Sequence, residues 1–305
     1  MTEDYSYHKP VMLYECIEAL NIDPSGIYVD VTFGGGGHTR EILKNIITGH
    51  LYSFDQDDDA KSESEKIDSP NFTFIQANFR HINKYLRLFG VKKVDGILAD
   101  LGISSHQIDT PQRGFSTRFE GPLDMRMNKT SGFSASEIAN EYTFENLHKI
   151  MGMYGELKNA RSVAQAIVQK RSQQPLETIE DLKNALIKLA PMGKENKFFA
   201  QVFQALRIEV NEELKVLEEF LTQCPDILKP KGRLVVMSYH SLEDRPVKNF
   251  MRSGKFYGDV EKDMFGNELK PMQAINRKPI EATEQEIAQN PRARSAKLRI
   301  AEKTD

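Results

Sequence analysis

Short apolar runs at 27–31, 51–54, 72–76 and 94–99 alternate with stretches near 39–48, 57–67 and 80–89, where apolar residues recur at helical spacing. Runs of that length read as strands buried on both faces, so the alternation predicts a parallel sheet covered by helices on both sides. From 109 to 195 the strand signal disappears. Ser134-Ala135-Ser136-Glu137 forms a capping box, and Thr178-Ile179-Glu180-Asp181 is a weaker relative. Leu182, Leu186 and Leu189 then repeat at helical spacing, as do Val163, Ala164, Ile167 and Val168. The α/β pattern returns with one long helix around 197–222, the turn Pro230-Lys231-Gly232 and a strand over 233–238. A helix near 242–252, a polar stretch to about 290 and a last strand from Ala296 to Ile300 complete the chain. The expected fold class is α/β: a doubly wound, Rossmann-like sheet built from 1–108 and 196–305, with an all-helical domain, 109–195, inserted after the fourth strand. An insertion there either grips a substrate or acts as a lid that excludes water.

The first strand runs into Asp30-Val31-Thr32-Phe33-Gly34-Gly35-Gly36-Gly37-His38, and a helix follows. Glycines between strand and helix allow a tight turn and let a ligand approach where a Cβ would collide. Asp55 ends the next run, where a doubly wound sheet presents a carboxylate to a ribose diol. A dinucleotide fingerprint would want a third glycine where Thr39 stands. The acid-led spacing Asp30-x-Thr32-x-Gly34-x-Gly36 suits a cationic amino group better than a pyrophosphate, which two nearby carboxylates would repel. That favours S-adenosylmethionine over NAD, and methyl transfer over hydride transfer.

Composition narrows the setting. With 28% charged and 39% apolar residues among 305, the chain is expected to be globular. Its formal charge of -3 excludes a uniformly basic nucleic-acid coat, so any RNA contact must be local. Cys16 and Cys224 are too few for a disulfide framework or a zinc cluster, and no apolar run approaches a membrane span. A cytoplasmic protein with no membrane partner is expected. Asp57-Asp58-Asp59 reads as helix N-terminal charge rather than a metal site.

The fourth strand ends in Ala99-Asp100-Leu101-Gly102. Asp100 is the catalytic candidate. A ring-conjugated exocyclic amine is a poor nucleophile, and an acceptor on its N–H orients the lone pair and can later collect the proton. Contact with the cofactor's amino-acid end is the other role open to Asp100.

Asp100-Leu101-Gly102-Ile103-Ser104-Ser105-His106-Gln107, Arg113-Gly114-Phe115-Ser116 and Gly121-Pro122-Leu123-Asp124-Met125-Arg126-Met127 resemble the signature of the RsmH (MraW) family. Further matching segments are His8-Lys9-Pro10-Val11, Phe203-Gln204-Ala205-Leu206-Arg207-Ile208-Glu209-Val210-Asn211, His240-Ser241-Leu242-Glu243-Asp244-Arg245 and Asn290-Pro291-Arg292-Ala293-Arg294-Ser295. The resemblance implies a class I S-adenosylmethionine-dependent methyltransferase acting on the N4 amine of a cytidine in the decoding centre of 16S rRNA, within the small ribosomal subunit. No DNA partner and no metal-ligating residue are expected. Carried over by motif, cofactor contacts fall on Gly36, Gly37, His38, Asp55, Phe79, Asp100 and Gln107; Asp30 and Gly34 come from the spacing above. Phe79 suits an apolar wall against adenine or ordinary helix-face core. Glu120 and Thr117 depart mildly from the family pattern.

The Asp/Asn-Pro-Pro-aromatic motif of many DNA amino-methyltransferases is absent, leaving Phe115, Phe119 and Tyr239 as candidates to hold the target base. His240 and Asp244 share helical spacing, but two ligands make no metal site. Basic residues gather at Arg113, Arg118, Arg126 and Lys129, at Arg245, Lys248, Arg252 and Lys255, and at Arg292, Arg294, Lys297 and Arg299. Each cluster is a phosphate contact or a solvated face. Rival readings are a methyltransferase of another acceptor, a non-catalytic RNA-binding module, and a nicotinamide oxidoreductase.

Overall fold

A computed structural model describes residues 10–130 and 132–304; His8 and Lys9 of the first matching segment lie outside them. The elements run α1 (Leu13–Leu20), β1 (Ile27–Asp30), α2 (Gly37–Asn45), β2 (His50–Asp55), α3 (Asp58–Ser64), β3 (Phe72–Gln76), α4 (Ile82–Leu88) and β4 (Val94–Asp100). Helices α5 (Ser105–Asp109), α6 (Ala135–Glu141), α7 (Phe144–Met153), α8 (Ala160–Arg171), α9 (Ile179–Leu186) and α10 (Glu195–Val210) follow. The chain closes with α11 (Glu213–Ile227), β5 (Leu228–Ser238), α12 (Ser241–Ser253), β6 (Met272–Ala274), β7 (Ile280–Glu281), α13 (Glu284–Gln289) and β8 (Lys297–Lys303).

Among the described residues, all the strands form one sheet in the order β3-β2-β1-β4-β5-β8-β6, with β7 paired to β8. Strands β1 to β5 are parallel, and β8 lies antiparallel between β5 and β6. The order reverses between β1 and β4, the switch point where open α/β sheets bind ligands at their carboxyl ends. This is the doubly wound, Rossmann-like arrangement. Successive strand residues feed opposite faces, as the two-residue period requires. Val29, Tyr52, Ile97, Leu234 and Val236 face one cluster with Ile82, Leu217, Phe220 and Val247; Tyr28, Leu51, Leu98, Val235 and Met237 face another with Cys16, Leu20 and Ile42.

Two compact units emerge, Met1–Gly102 with Lys215–Asp305, and Ile103–Leu214. The helical unit is therefore wider than the expected 109–195. The expected long helix at 197–222 is two helices, and the break explains the difference. The carboxamide of Asn211 accepts the amide of Met127 at 2.8 Å and donates to the carbonyls of Met125 and Arg207 at 2.8 and 2.9 Å. Glu212 then takes φ 48°, which ends α10. The helical unit has its own core, in which Val163, Ile167, Leu182, Leu186, Phe198 and Val202 are buried. Both capping boxes form, Ser134 with Glu137 and Thr178 with Asp181. Asp57 caps α3 by accepting the Asp59 amide. The polar stretch before 290 carries β6, β7 and α13, too short for periodicity to reveal.

Phe220 is fully buried on α11 and meets Phe79 in a T-shaped pair at 5.2 Å between ring centroids. Phe220→Ala is expected to lower the unfolding free energy by about 3–5 kcal/mol, read as a lower denaturant midpoint at unchanged slope.

Candidate active site

The site is built on a hydrogen-bond chain that follows the sheet's strand order along its carboxyl edge. On β2, Ser53 meets the hydroxyl of Thr39 at 2.8 Å, and Thr39 donates to Asp30 Oδ2 at 2.7 Å. Asp30 Oδ1 accepts the amide of Thr32 at 3.1 Å. Thr32 in turn accepts the Asp100 amide at 2.7 Å, carrying the chain from β1 to β4. Asp100 Oδ1 accepts the hydroxyl of Tyr239 at 2.8 Å, just beyond β5. The Tyr239 amide ends on Glu243 Oε2 at 2.9 Å, and Glu243 Oε1 lies 3.1 Å from His240 Nε2. Thr39 occupies the position a dinucleotide site would give to glycine, and its hydroxyl is what holds Asp30.

The glycine turn is pulled onto the same edge. Asp55 accepts the amides of Gly34 at 2.8 Å and Asp57 at 3.0 Å. Gly34 and Gly36 have φ of 52° and 74°. A Cβ on Gly36 would lie 2.7 Å from the Phe33 ring, and one on Gly37 would strike the ring of Pro10. These two glycines are thus required by the protein's own packing, beyond any ligand. His38 is buried with Nε2 3.2 Å from the Val11 carbonyl, and Nδ1 is 3.9 Å from Asp100 Oδ2. Burial lowers the His38 pKa to about 4, partly opposed by that carbonyl, so the ring is neutral near pH 7.

Three carboxyls titrate upward. Burial pushes Asp30 to about 6, against the hydrogen bonds from Thr39 and Thr32. It pushes Asp55 to about 6, against the amides of Asp57 and Gly34. Asp100 rises to about 7 for the same reason, opposed by the Tyr239 hydroxyl and assisted by Asp30 and Glu243. Acids held this way gain from a cationic ligand. No side chain caps the N-terminus of α2, whose positive dipole end suits a carboxylate. An uncapped helix start beside carboxyls fits the zwitterionic end of an amino-acid-bearing donor. Asp55 retains lone pairs for a diol.

The structure brings together Asp30, Gly34, Gly36, Gly37, His38, Asp55 and Asp100. Phe79 follows β3 half-buried, in a T-shaped pair with Phe220. Gln107 belongs to the helical unit, where it closes a capping box with Ser104 at the start of α5. Several expectations are corrected. Arg113 is no phosphate contact: it is 2% exposed and donates to the carbonyls of Arg126 and Met127. Arg126 is held by Asp124, and Arg299 is buried against Asp244. Asp244 therefore does not join His240, whose partner is Glu243. Phe115 is buried in the helical core, and Tyr239 bonds Asp100 through its hydroxyl. Sequence reasoning gave no role to Thr32, Thr39, Ser53 and Glu243; of these Thr32 left a trace in the acid-led spacing and Thr39 in the irregular glycine spacing.

The sequence matches the MraW methylase family over residues 5–304. The chain belongs to that family. Proteins named ribosomal RNA small subunit methyltransferase H are similar along their whole length. The one from Cytophaga hutchinsonii is 58% identical over 297 residues, 97% of this chain and 99% of its own. That from Christiangramia forsetii is 54% identical, covering 97% and 98%. A solved rRNA methylase from Streptococcus thermophilus shares 13% identity at a TM-score of 0.41, covering 96% of this chain and 94% of its own, too slight a likeness to build on. As a methylase of this family and fold, the chain uses S-adenosylmethionine as its cofactor.

The Tyr239 bond has a measurable consequence. It favours ionised Asp100, so Tyr239→Phe raises the Asp100 pKa. The carboxylate fraction then falls at any pH below the new value. The acid limb of the kcat/KM profile should move to higher pH, with activity at alkaline pH retained within a few-fold.

Proposed function

We propose that this protein transfers a methyl group from S-adenosylmethionine to the N4 amine of a cytidine in the decoding centre of 16S rRNA, within the small ribosomal subunit, in the cytoplasm. The observation that carries the reading is Asp100. It ends the strand at the switch point, its Oδ1 is held by Tyr239, and its Oδ2 has His38 Nδ1 at 3.9 Å, beyond hydrogen-bond distance. Full-length similarity to proteins named for small-subunit rRNA methylation supports RNA as acceptor. The choice of cytidine N4 rests on the signature segments around Asp100, Arg113 and Gly121.

The bound donor supplies an electrophilic methyl group on a sulfonium. Asp30 and Asp55 hold the glycine turn, Asp55 meets the ribose, and the first turn of α2 meets the donor's carboxylate. Phe79 lies against the adenine. Asp100 Oδ2 accepts a hydrogen bond from the donor's ammonium or from the target amine. In the second case the N–H bond would be polarised as the nitrogen lone pair forms its bond to the methyl carbon, the C–S bond breaks with its electron pair left on sulfur as the neutral thioether S-adenosylhomocysteine, and the amine proton passes to the Asp100 carboxylate. Holding nucleophile and methyl in line supplies up to roughly 7–11 kcal/mol of barrier reduction in favourable systems. The helical unit serves substrate recognition.

Asp100→Ala is expected to abolish methylation, and calorimetry of the variant separates its two roles. Lost donor binding marks an ammonium contact; retained binding marks an acid–base role. Mass spectrometry of nucleosides from small subunits, naked rRNA and lysate protein incubated with enzyme and donor tests the acceptor. N4-methylcytidine in the rRNA is expected, and label confined to protein would overturn the assignment.

A further inference from the structure

We propose that the exposed stripe Ser241-Arg245-Lys248-Arg252 on α12 is a phosphate-binding ridge for the RNA strand flanking the target nucleotide, an inference that rests on RNA being the acceptor. Residues at these positions follow spacings of four, three and four and lie on one face of α12, and all four are exposed. Among the described residues, none of the three cations forms an ion pair or hydrogen bond, whereas every other member of the chain's basic clusters except Lys129 and Arg294 is engaged. Arg113 and Arg299 are buried and bonded, Arg126 is paired with Asp124, Arg118 reaches Asp109, and Lys255 is taken by Glu261.

Charge pairing along the helix is also missing. Asp244 stands one turn before Lys248, where it could pair with it, but its two oxygens are engaged by Arg299 at 2.6 and 3.0 Å. Glu243 faces inward to Tyr239 and His240. Glu268, the acid that senses Arg252, is itself bonded to Lys270. Arg245 and Lys248, and Lys248 and Arg252, are like charges at helical-neighbour spacing, which destabilises a helix. A chain with net charge -3 that keeps such a stripe unmatched presents it to an external polyanion.

Position and length agree with that partner. The helix starts two residues after Tyr239, whose hydroxyl holds Asp100, so the ridge leads away from the reacting edge within the same unit. Seven residues at 1.5 Å each separate Arg245 from Arg252 by about 10 Å, room for roughly three phosphates of one strand at a duplex-like spacing.

The test is the triple variant Arg245→Gln, Lys248→Gln, Arg252→Gln, compared with wild type on naked 16S rRNA and on small subunits. Binding is read between about 50 and 200 mM salt. The slope of log K against log salt should become shallower by about 2–3, and affinity near physiological salt should fall roughly tenfold or more. KM for RNA should rise with kcat and donor affinity little changed, and thermal stability should hold or increase because a repulsive stripe has been neutralised. An unchanged slope and KM would overturn the ridge. Because the slope is read on binding, that failure is distinct from wild-type enzyme leaving RNA unmethylated, which would instead sink the assigned reaction.

Discussion

Asp30 ends β1 at 1% exposure with both carboxylate oxygens engaged, by the Thr39 hydroxyl and by the Thr32 amide. Through Thr39 it reaches the first turn of α2 and Ser53 of β2; through Thr32 it reaches the backbone of Asp100 on β4. A buried carboxylate without donors would be costly, so these neighbours and the acid require one another. The result fixes the start of the glycine turn against the two strands that flank it. The expected part of Asp30 was direct contact with the cofactor's ammonium. In the structure its hydrogen bonds organise the turn that would receive the donor.

The electrostatic character of the edge follows from the same geometry. Asp30, Asp55 and Asp100 sit close enough for each to feel burial or a neighbouring acid, and all three carboxyls are pushed up. Such a cluster repels phosphate and gains from a cation, the physical basis for preferring a sulfonium donor with an ammonium group to a dinucleotide. Tyr239 works in the opposite sense at Asp100, favouring the ionised form, and Glu243 holds the Tyr239 backbone in register. Away from this edge the exposed cations of α12 carry the opposite charge. Acidic groups at the sheet edge and basic groups on α12 are thereby kept apart within one nearly neutral chain.

Much of this was legible in the chain. Parallel strands announced themselves because they are buried on both faces and read as apolar runs, and the Asp30, Asp55 and Asp100 positions followed from where those runs stop. Capping boxes at Ser134 and Thr178 were visible because each closes within four residues. Other features depend on distant partners. Arg113 looks like any exposed cation until the carbonyls of Arg126 and Met127 surround it, and Arg299 looks free until Asp244, 55 residues earlier, engages it. The break at Asn211 depends on the backbone at Met125 and Met127, more than 80 positions away.

By itself, then, the sequence determined what periodicity and local spacing can encode: the alternation of strands and helices, the helical interruption, and the acids and glycines at strand ends. Tertiary structure alone decided which polar side chains are consumed in holding the molecule together and which remain for ligands. That choice turns on pairings across strands and between segments far apart in the chain. Hydrogen bonds act over about 3 Å, and only folding brings such groups within that reach.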